Sequence, residues 1–325
     1  MSEFFFLTHD RVDPQFNIAS EEYLLKHTNG YYVYLWRNAP AVIVGVNQNA
    51  LEEINLDFVS KSDVKVVRRI TGGGAVYHDL NNVCYTVIAP FDSQQDNYRL
   101  FTAPVIEYLN SLGVKAEFSG RNDITVNGKK ISGNAQTVYK DRIMHHGTLL
   151  FKTDINALSN ALKPNKLKIE SKGIKSVRAR VTNIYEELPV KMTAQEFFDG
   201  LKNYLSNGLK EYSFSQEDLT EIDRLVKQKF GTFEWNIGRS PTGKNAFEGR
   251  FNFGTLKISF DTVDGKIQNA CINGDFFSIK PITDFASTLN GVAFDKISLI
   301  KAFESLGEFI QGADGNQVVN SFLAD

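Results

Sequence analysis

The chain has 325 residues, 42% hydrophobic and 23% charged, a composition ordinary for a globular protein of about two domains. A formal net charge of -2 supplies no basic field, which argues against nucleic acid as a partner. No apolar run approaches the ~20 residues needed to span a bilayer, and two distant cysteines, Cys84 and Cys271, suit a reducing cytoplasm and argue against a disulfide framework.

Phe4 to Thr8 reads as a strand, and the segment lacks the basic n-region and cleavage site of a signal peptide. Apolar residues at helical spacing from Asn17 to Leu25 predict a helix. Strands are predicted at Tyr31–Trp36, Ala41–Val46, Val64–Ile70 and Val83–Ala89, and a helix over Phe101–Leu112 ended by Gly113 at the C′ position. Asn127-Gly128 between short β-prone runs is a strong hairpin signal. A second hairpin, Ala135–Tyr139 with Ile143–Phe151, follows. Thr193-x-x-Glu196 and Ser215-x-x-Asp218 resemble capping boxes. A boundary is expected near Asn236–Phe247, where Gly, Pro, Ser and Asn cluster. Beyond it come a hairpin over Leu256–Val263 and Lys266–Ile272, then helical patterns at Thr283–Leu289 and Asp295–Phe309.

The segment Arg68-Arg69-Ile70-Thr71-Gly72-Gly73-Gly74-Ala75-Val76-Tyr77-His78-Asp79 carries the most chemistry. Glycines let backbone N–H groups turn and approach a ligand closely, successive N–H groups make an anion site, and arginine adds a fork of donors. A glycine triplet alone is more often a tight turn than a ligand site; the arginines bring the two readings level. The linker segment Gly238-Arg239-Ser240-Pro241-Thr242-Gly243-Lys244-Asn245 has P-loop spacing, but Asn245 replaces the metal-binding hydroxyl and no helical pattern follows, so it reads as an interdomain loop. His145 and His146 are strand neighbours that face opposite ways, with no third His or Cys nearby; packing or substrate contact is expected, not zinc.

Three further segments complete a pattern: Gly120-Arg121-Asn122-Asp123 with the hairpin to Lys130 and Ser132-Gly133-Asn134-Ala135, His145-His146-Gly147-Thr148, and Ser176-Val177-Arg178-Ala179-Arg180-Val181-Thr182-Asn183. Together with the glycine loop, and in this order, they resemble the lipoate-protein ligase A family. The resemblance implies a mixed α/β, or α+β, architecture: a biotin/lipoate ligase-like catalytic domain over residues 1–243 and a small α/β C-terminal domain over 244–325 that moves between half-reactions. It implies a cytoplasmic, monomeric enzyme that uses ATP and Mg²⁺ to convert lipoate to lipoyl-AMP. The lipoyl group then passes to a lysine on lipoyl domains of 2-oxoacid dehydrogenase E2 subunits or on a glycine cleavage H-type protein.

Carried over residue by residue, the resemblance makes Lys130 the catalytic lysine, in contact with the acyl carbonyl and the adenylate phosphate. A lone hairpin lysine would otherwise read as solvated, as its neighbour Lys129 does on the opposite face. It assigns nucleotide binding to Arg69, Gly73, Gly74, Ala75, Val76 and Tyr77, with Arg68 sharing the phosphate role. Arg178 and Asn183 belong to a segment covering the adenylate, with Arg180. Asp123 is either a Mg²⁺ ligand or a cap of the hairpin turn. Ile18, Trp36 and Val44 are candidate acyl-channel residues whose default is core packing. The rival readings are an ATP-independent octanoyl or lipoyl transferase, which needs a nucleophilic thiol, and a non-catalytic lipoate-binding protein; biotin ligase ranks third. Cys84 reads as a buried small hydrophobe and neither cysteine has a recognisable base.

Overall fold

In the computed structural model of the chain, residues 3–163, 180–238 and 245–322 are described. Among them, the large domain is built on an eight-stranded mixed sheet in the order β11-β1-β2-β6-β10-β9-β8-β7. The strands are β1 (Phe4–Thr8), β2 (Tyr31–Trp36), β6 (Asn82–Pro90), β7 (Ala116–Ser119), β8 (Asp123–Val126), β9 (Lys129–Tyr139), β10 (Arg142–Leu150) and β11 (Lys210–Tyr212). The two predicted hairpins share a strand: β9 runs unbroken from the Asn127-Gly128 turn to the Lys140 turn.

Side-chain alternation divides the sheet into two faces. One face presents Leu35, Val83, Tyr85 and Leu149 to the helices Asn97–Ser111 and Ala194–Ser206, forming one core. The other presents Tyr34, Trp36, Cys84 and Ile88 to helix α1 (Pro14–His27). The second face also meets a small sheet in the order β4-β3-β5, made of β3 (Ala41–Val44), β4 (Lys65–Arg68) and β5 (Val76–His78). Asp13 caps α1 by accepting from Gln15 N and Phe16 N, and Pro14 fits the first helical turn, where its missing N–H costs nothing. The helix buries polar residues, Asn17, Ser20, Glu21 and Glu22, along with its apolar ones. Buried polar side chains need partners, and those of Glu21 lie in the site described below. Both predicted capping boxes are present, on helices Ala194–Ser206 and Gln216–Leu225.

The C-terminal unit has its own sheet, β12 (Asn245–Phe251), β13 (Gly254–Val263) and β14 (Lys266–Gly274), and its own core around Phe276, Phe285, Phe303 and Val319. Asp264 and Gly265 take positive φ in the β13–β14 turn, as the Asp-Gly signal requires. The helical pattern over 295–309 is broken into Lys296–Phe303 and Leu306–Phe309. Strand β12 and the Gly315–Phe322 helix, both outside the predicted elements, complete the unit.

Candidate active site

Asn127 and Gly128 have φ of 51° and 75°, the left-handed pair of a two-residue hairpin turn. Across β8 and β9, Thr125 pairs with Lys130 but Ile124 pairs with Ser132, leaving Ile131 as the extra residue of a bulge. The extra residue resets the alternation. Ile131 therefore joins the Tyr85 core, while Lys130 shares a face with Gly133. A Cβ on Gly133 would lie 2.9 Å from Lys130 Nζ, so the glycine makes room for the ammonium. Lys130 Nζ pairs with Asp123 Oδ1 at 2.7 Å, and both side chains are about a third exposed. Asp123 heads β8 and holds this ion pair. Lys129 is exposed. Asn134 fixes the surroundings: its Nδ2 donates to Asn122 O at 3.0 Å, Asn122 Nδ2 donates back to Asn134 O, and Tyr85 Oη donates to Asn134 Oδ1. The same strand face carries His146 and Thr148 on β10, and Thr148 is the register partner of Gly133.

The glycine loop joins β4 to β5 and reaches this face from above. Of its three glycines Gly73 alone has positive φ, +89°. Gly45 passes beneath it: a Cβ there would stand 2.0 Å from Gly73 O. Arg69 is buried at the loop's base. It donates from Nε to Thr71 Oγ1 at 2.8 Å, from Nη1 to Ile43 O, and from Nη2 to Gly72 O and Gly74 O at 2.6 and 2.9 Å. Burial lowers its pKa to about 10. Arg69 thus grips the loop from inside and does not project from it. Arg68 departs from the expectation more sharply. Fully buried, it donates to the carbonyls of Gly45, Gln48, Trp235 and Asn236, tying the loop's approach to the end of the large domain, and is not free for phosphate. Gly74, Ala75 and Val76 remain half-buried at the open edge, whereas Tyr77 is buried.

A chain of hydrogen bonds that the sequence did not announce runs behind the loop. Thr71 Oγ1 lies 2.8 Å from His146 Nε2, and His146 Nδ1 lies 2.9 Å from Glu21 Oε1 on α1. Thr86 Oγ1 donates to the same carboxylate oxygen at 2.6 Å while accepting from Trp36 Nε1 at 3.0 Å. Glu21 is wholly buried. Only its place in a helical run was visible in sequence, because its partners are 65 and 125 residues away. His145 turns to the opposite face among Tyr85, Tyr98 and Phe101, and burial lowers its pKa to about 3.

Lys130 N donates to Arg180 O and Lys130 O accepts from Thr182 N, so the Arg180–Thr182 stretch lies along β9 beside the lysine. Asn183 spends its side chain on Thr153, exchanging hydrogen bonds with that residue's N and O. Arg178 lies outside the described residues. Ile18 and Trp36 pack in one core and Val44 in another. Cys84 is buried, but not without a base: His78 Nδ1 lies 3.6 Å from Sγ. Burial raises the thiol pKa well above its usual value and lowers that of His78 to about 3, so the pair is held as thiol and neutral imidazole.

The small domain closes on the loop. Gly73 N donates to Phe276 O at 3.2 Å, and a Cβ on Gly72 would meet that oxygen at 2.3 Å. Phe277 lies against Tyr98 and under the Arg121 guanidinium, which also donates to Phe253 O. Asn47 Nδ2 donates to Ser278 Oγ, and Gly274 N donates to Asn47 O.

Comparisons with known proteins agree with this layout. Residues 13–206 match the family described as lipoyl protein ligase A/B catalytic domain, and 240–322 match the bacterial lipoate protein ligase C-terminus. The chain is 42% identical over 319 residues to lipoate-protein ligase LplJ of Bacillus subtilis, covering 96% of each. Its fold is similar to that of P. falciparum LipL1 in complex with lipoate, with TM-score 0.81, 27% identity, and 99% and 100% of the two chains covered. It is also similar to a lipoate-protein ligase A bound with ATP, with TM-score 0.63, 27% identity, and 73% and 99% covered.

Proposed function

The chain belongs to the lipoate-protein ligase A family, and on that premise we propose how its residues carry out the two half-reactions. The enzyme is an ATP-dependent lipoate ligase that acts on lipoyl domains. In the first step a lipoate carboxylate oxygen attacks the α-phosphorus of ATP; the P–O bond to pyrophosphate breaks and lipoyl-AMP forms. In the second, the ε-amine of an acceptor lysine attacks the acyl carbon, loses a proton, and expels AMP. Negative charge grows on the phosphoryl oxygens in the first step and on the carbonyl oxygen in the second.

The placement of Lys130 carries the proposal. Its ammonium stands over Gly133, on the sheet face that His146 links to the glycine loop, where one donor can stabilise both charges. The N–H groups at the open edge of the loop, Gly74 to Val76, bind the nucleotide, with Arg69 holding their shape. Tyr77 anchors the edge, and Asn183 fixes the start of the helix Ile184–Glu187 through Thr153. Arg178 is assigned to the covering segment on resemblance alone. Asp123, an accessible carboxylate beside Lys130, fits a Mg²⁺ ion, which when bound would neutralise triphosphate charge. The acceptors are E2 lipoyl domains or an H-type protein, and the enzyme is monomeric and cytoplasmic. The direct test is incubation with ATP and lipoate, followed by mass spectrometry for lipoyl-adenylate and an assay for pyrophosphate. A wild-type protein that yields neither would sink the reading.

The contact between Cys84 and His78 gives the transferase reading its one foothold. Replacing both cysteines, Cys84→Ser with Cys271→Ser, removes every thiol in the chain. ATP-dependent lipoylation is expected to stay within a few-fold of wild type, since a ligase needs no enzyme nucleophile. Burial of the new hydroxyl costs up to ~1–3 kcal/mol if unpaired, so circular dichroism must accompany the assay. A folded but inactive double variant would favour the transferase.

The division into 1–243 and 244–325 is likewise functional in this reading. While Phe276 O holds Gly73 N, that N–H is not available to a phosphate, and a shift of the small domain would add it to the donors at Gly74 to Val76. Removing residues from 245 onward is expected to change adenylate formation more than lipoyl transfer from supplied lipoyl-adenylate. Equal loss of both in a soluble truncated protein contradicts it.

A further inference from the structure

Every hydrogen in the chain behind the loop can be placed from donor and acceptor inventories. Arg69 Nε can only donate, so Thr71 Oγ1 accepts from it. The Thr71 hydroxyl proton then needs an acceptor, and His146 Nε2 at 2.8 Å is the one in reach. An imidazole that accepts at Nε2 carries its proton on Nδ1, which donates to the Glu21 carboxylate. On the other side, Trp36 donates to Thr86 and Thr86 to Glu21. Both branches point the same way and end on one carboxylate. The weak point of any other order is at Glu21: with the single imidazole proton on Nε2, the Nδ1 lone pair would face a buried carboxylate at 2.9 Å.

We infer that Glu21 is a positioning residue for the glycine loop, acting through His146 and Thr71 on Arg69 and through Arg69 on the carbonyls of Gly72 and Gly74. Among the described residues, Arg69 itself is grasped only by neutral oxygens. The buried charge opposing it is Glu21, whose attraction works against the desolvation of the guanidinium. A buried cation with its counter-ion held off by two relays keeps its donors for backbone carbonyls, and that sets the direction in which Gly74 to Val76 turn their N–H groups. The substrate of the loop and the helix that bears Glu21 never need to touch for the helix to affect nucleotide binding.

The inference deepens the ligase reading and rests on it for the identity of the loop's ligand. The test uses the full chain and the probe α,β-methylene-ATP, with Thr71→Val, Thr71→Ser, Glu21→Gln and the double variant Thr71→Val with Glu21→Gln. Losing one hydrogen-bonded link should weaken probe binding about tenfold. Thr71→Ser, which keeps the hydroxyl, should bind within about twofold of wild type. Because both changes break the same chain, the double variant should bind no worse than the weaker single variant. Imidazole ¹⁵N NMR of the wild type should show the Nδ1-protonated tautomer of His146. Multiplicative losses in the double variant, wild-type binding by Thr71→Val, or the Nε2-protonated tautomer would each overturn the inference. Should Glu21→Gln not fold, the two Thr71 variants and the NMR signature decide it. Failure of the ligase reading looks different: the wild type binds the probe but makes no lipoyl-adenylate from ATP and lipoate.

Discussion

Lys130→Ala lowers the rate of lipoyl-adenylate formation at least about 100-fold, the ~2.7 kcal/mol typical of losing one donor aimed at developing charge. The alanine removes the ammonium from its place over Gly133 and leaves Asp123 without its partner at 2.7 Å. Transfer from supplied lipoyl-adenylate should also fall, because in the proposed mechanism the same donor meets the acyl oxygen. Lys129→Ala, one residue away on the other side of the strand, should keep activity within about twofold, as expected of an exposed surface change. Pyrophosphate release for the first step, acyl transfer for the second and circular dichroism for folding make the measurement complete. Equal losses in the two variants, or none, reject the assignment.

Gly45→Ala is expected to weaken ATP binding at least tenfold in a protein that still folds. The new methyl would stand 2.0 Å from Gly73 O and 3.3 Å from Arg69 Nη2. Neither neighbour can yield cheaply, since Gly73 O is backbone and Arg69 is fixed by Thr71, Ile43, Gly72 and Gly74. Relief comes by lifting the loop off β3, which also breaks the bond from Val46 N to Thr71 O. Overpacking of this kind typically costs ~1–3 kcal/mol. The cost falls on the loop, because each domain retains its own core. Calorimetric titration with ATP should show affinity down at least tenfold, with a melting temperature lowered by several degrees. Wild-type affinity in the folded variant would mean that the loop's shape does not govern nucleotide binding.

How much of this was legible in the sequence depended on whether the cause was local. The Asn127-Gly128 and Asp264-Gly265 turns, the capping boxes at Thr193 and Ser215, and the helix stop at Gly113 are dictated by residues within a few positions, and the structure has them. Sequence also put Lys129 and Lys130 on opposite faces, but it could not see that the face depends on a bulge at Ile131, which exists only through pairing with β8. The Arg68-Arg69 pair misled for a similar reason. Two arginines before glycines are chemically suited to phosphate, yet the carbonyls of Gly45, Gln48, Trp235 and Asn236 claim Arg68 from 20 to 168 residues away. Glu21 was hidden by its setting, a carboxylate in a helical run whose significance lies in being wholly buried. The site assignments for Lys130 and the loop rested on motifs in family order, not on anything periodicity could show.

The burial of Cys84 beside His78 bears on a hazard particular to this substrate. Lipoate carries a cyclic disulfide, and disulfides are opened by thiolates, at a rate that follows the thiolate fraction of the attacker. Cys84 occupies the same sheet face as His146 and Thr148, so a reactive sulfur there would put an exchange partner on the face that carries the candidate site. Burial raises the thiol's pKa well above its usual value, and His78, lowered to about 3, is too weak a base to take the proton. The sulfur therefore behaves as packing material, and the dithiolane ring can be handled intact by an enzyme that keeps a cysteine in its own interior.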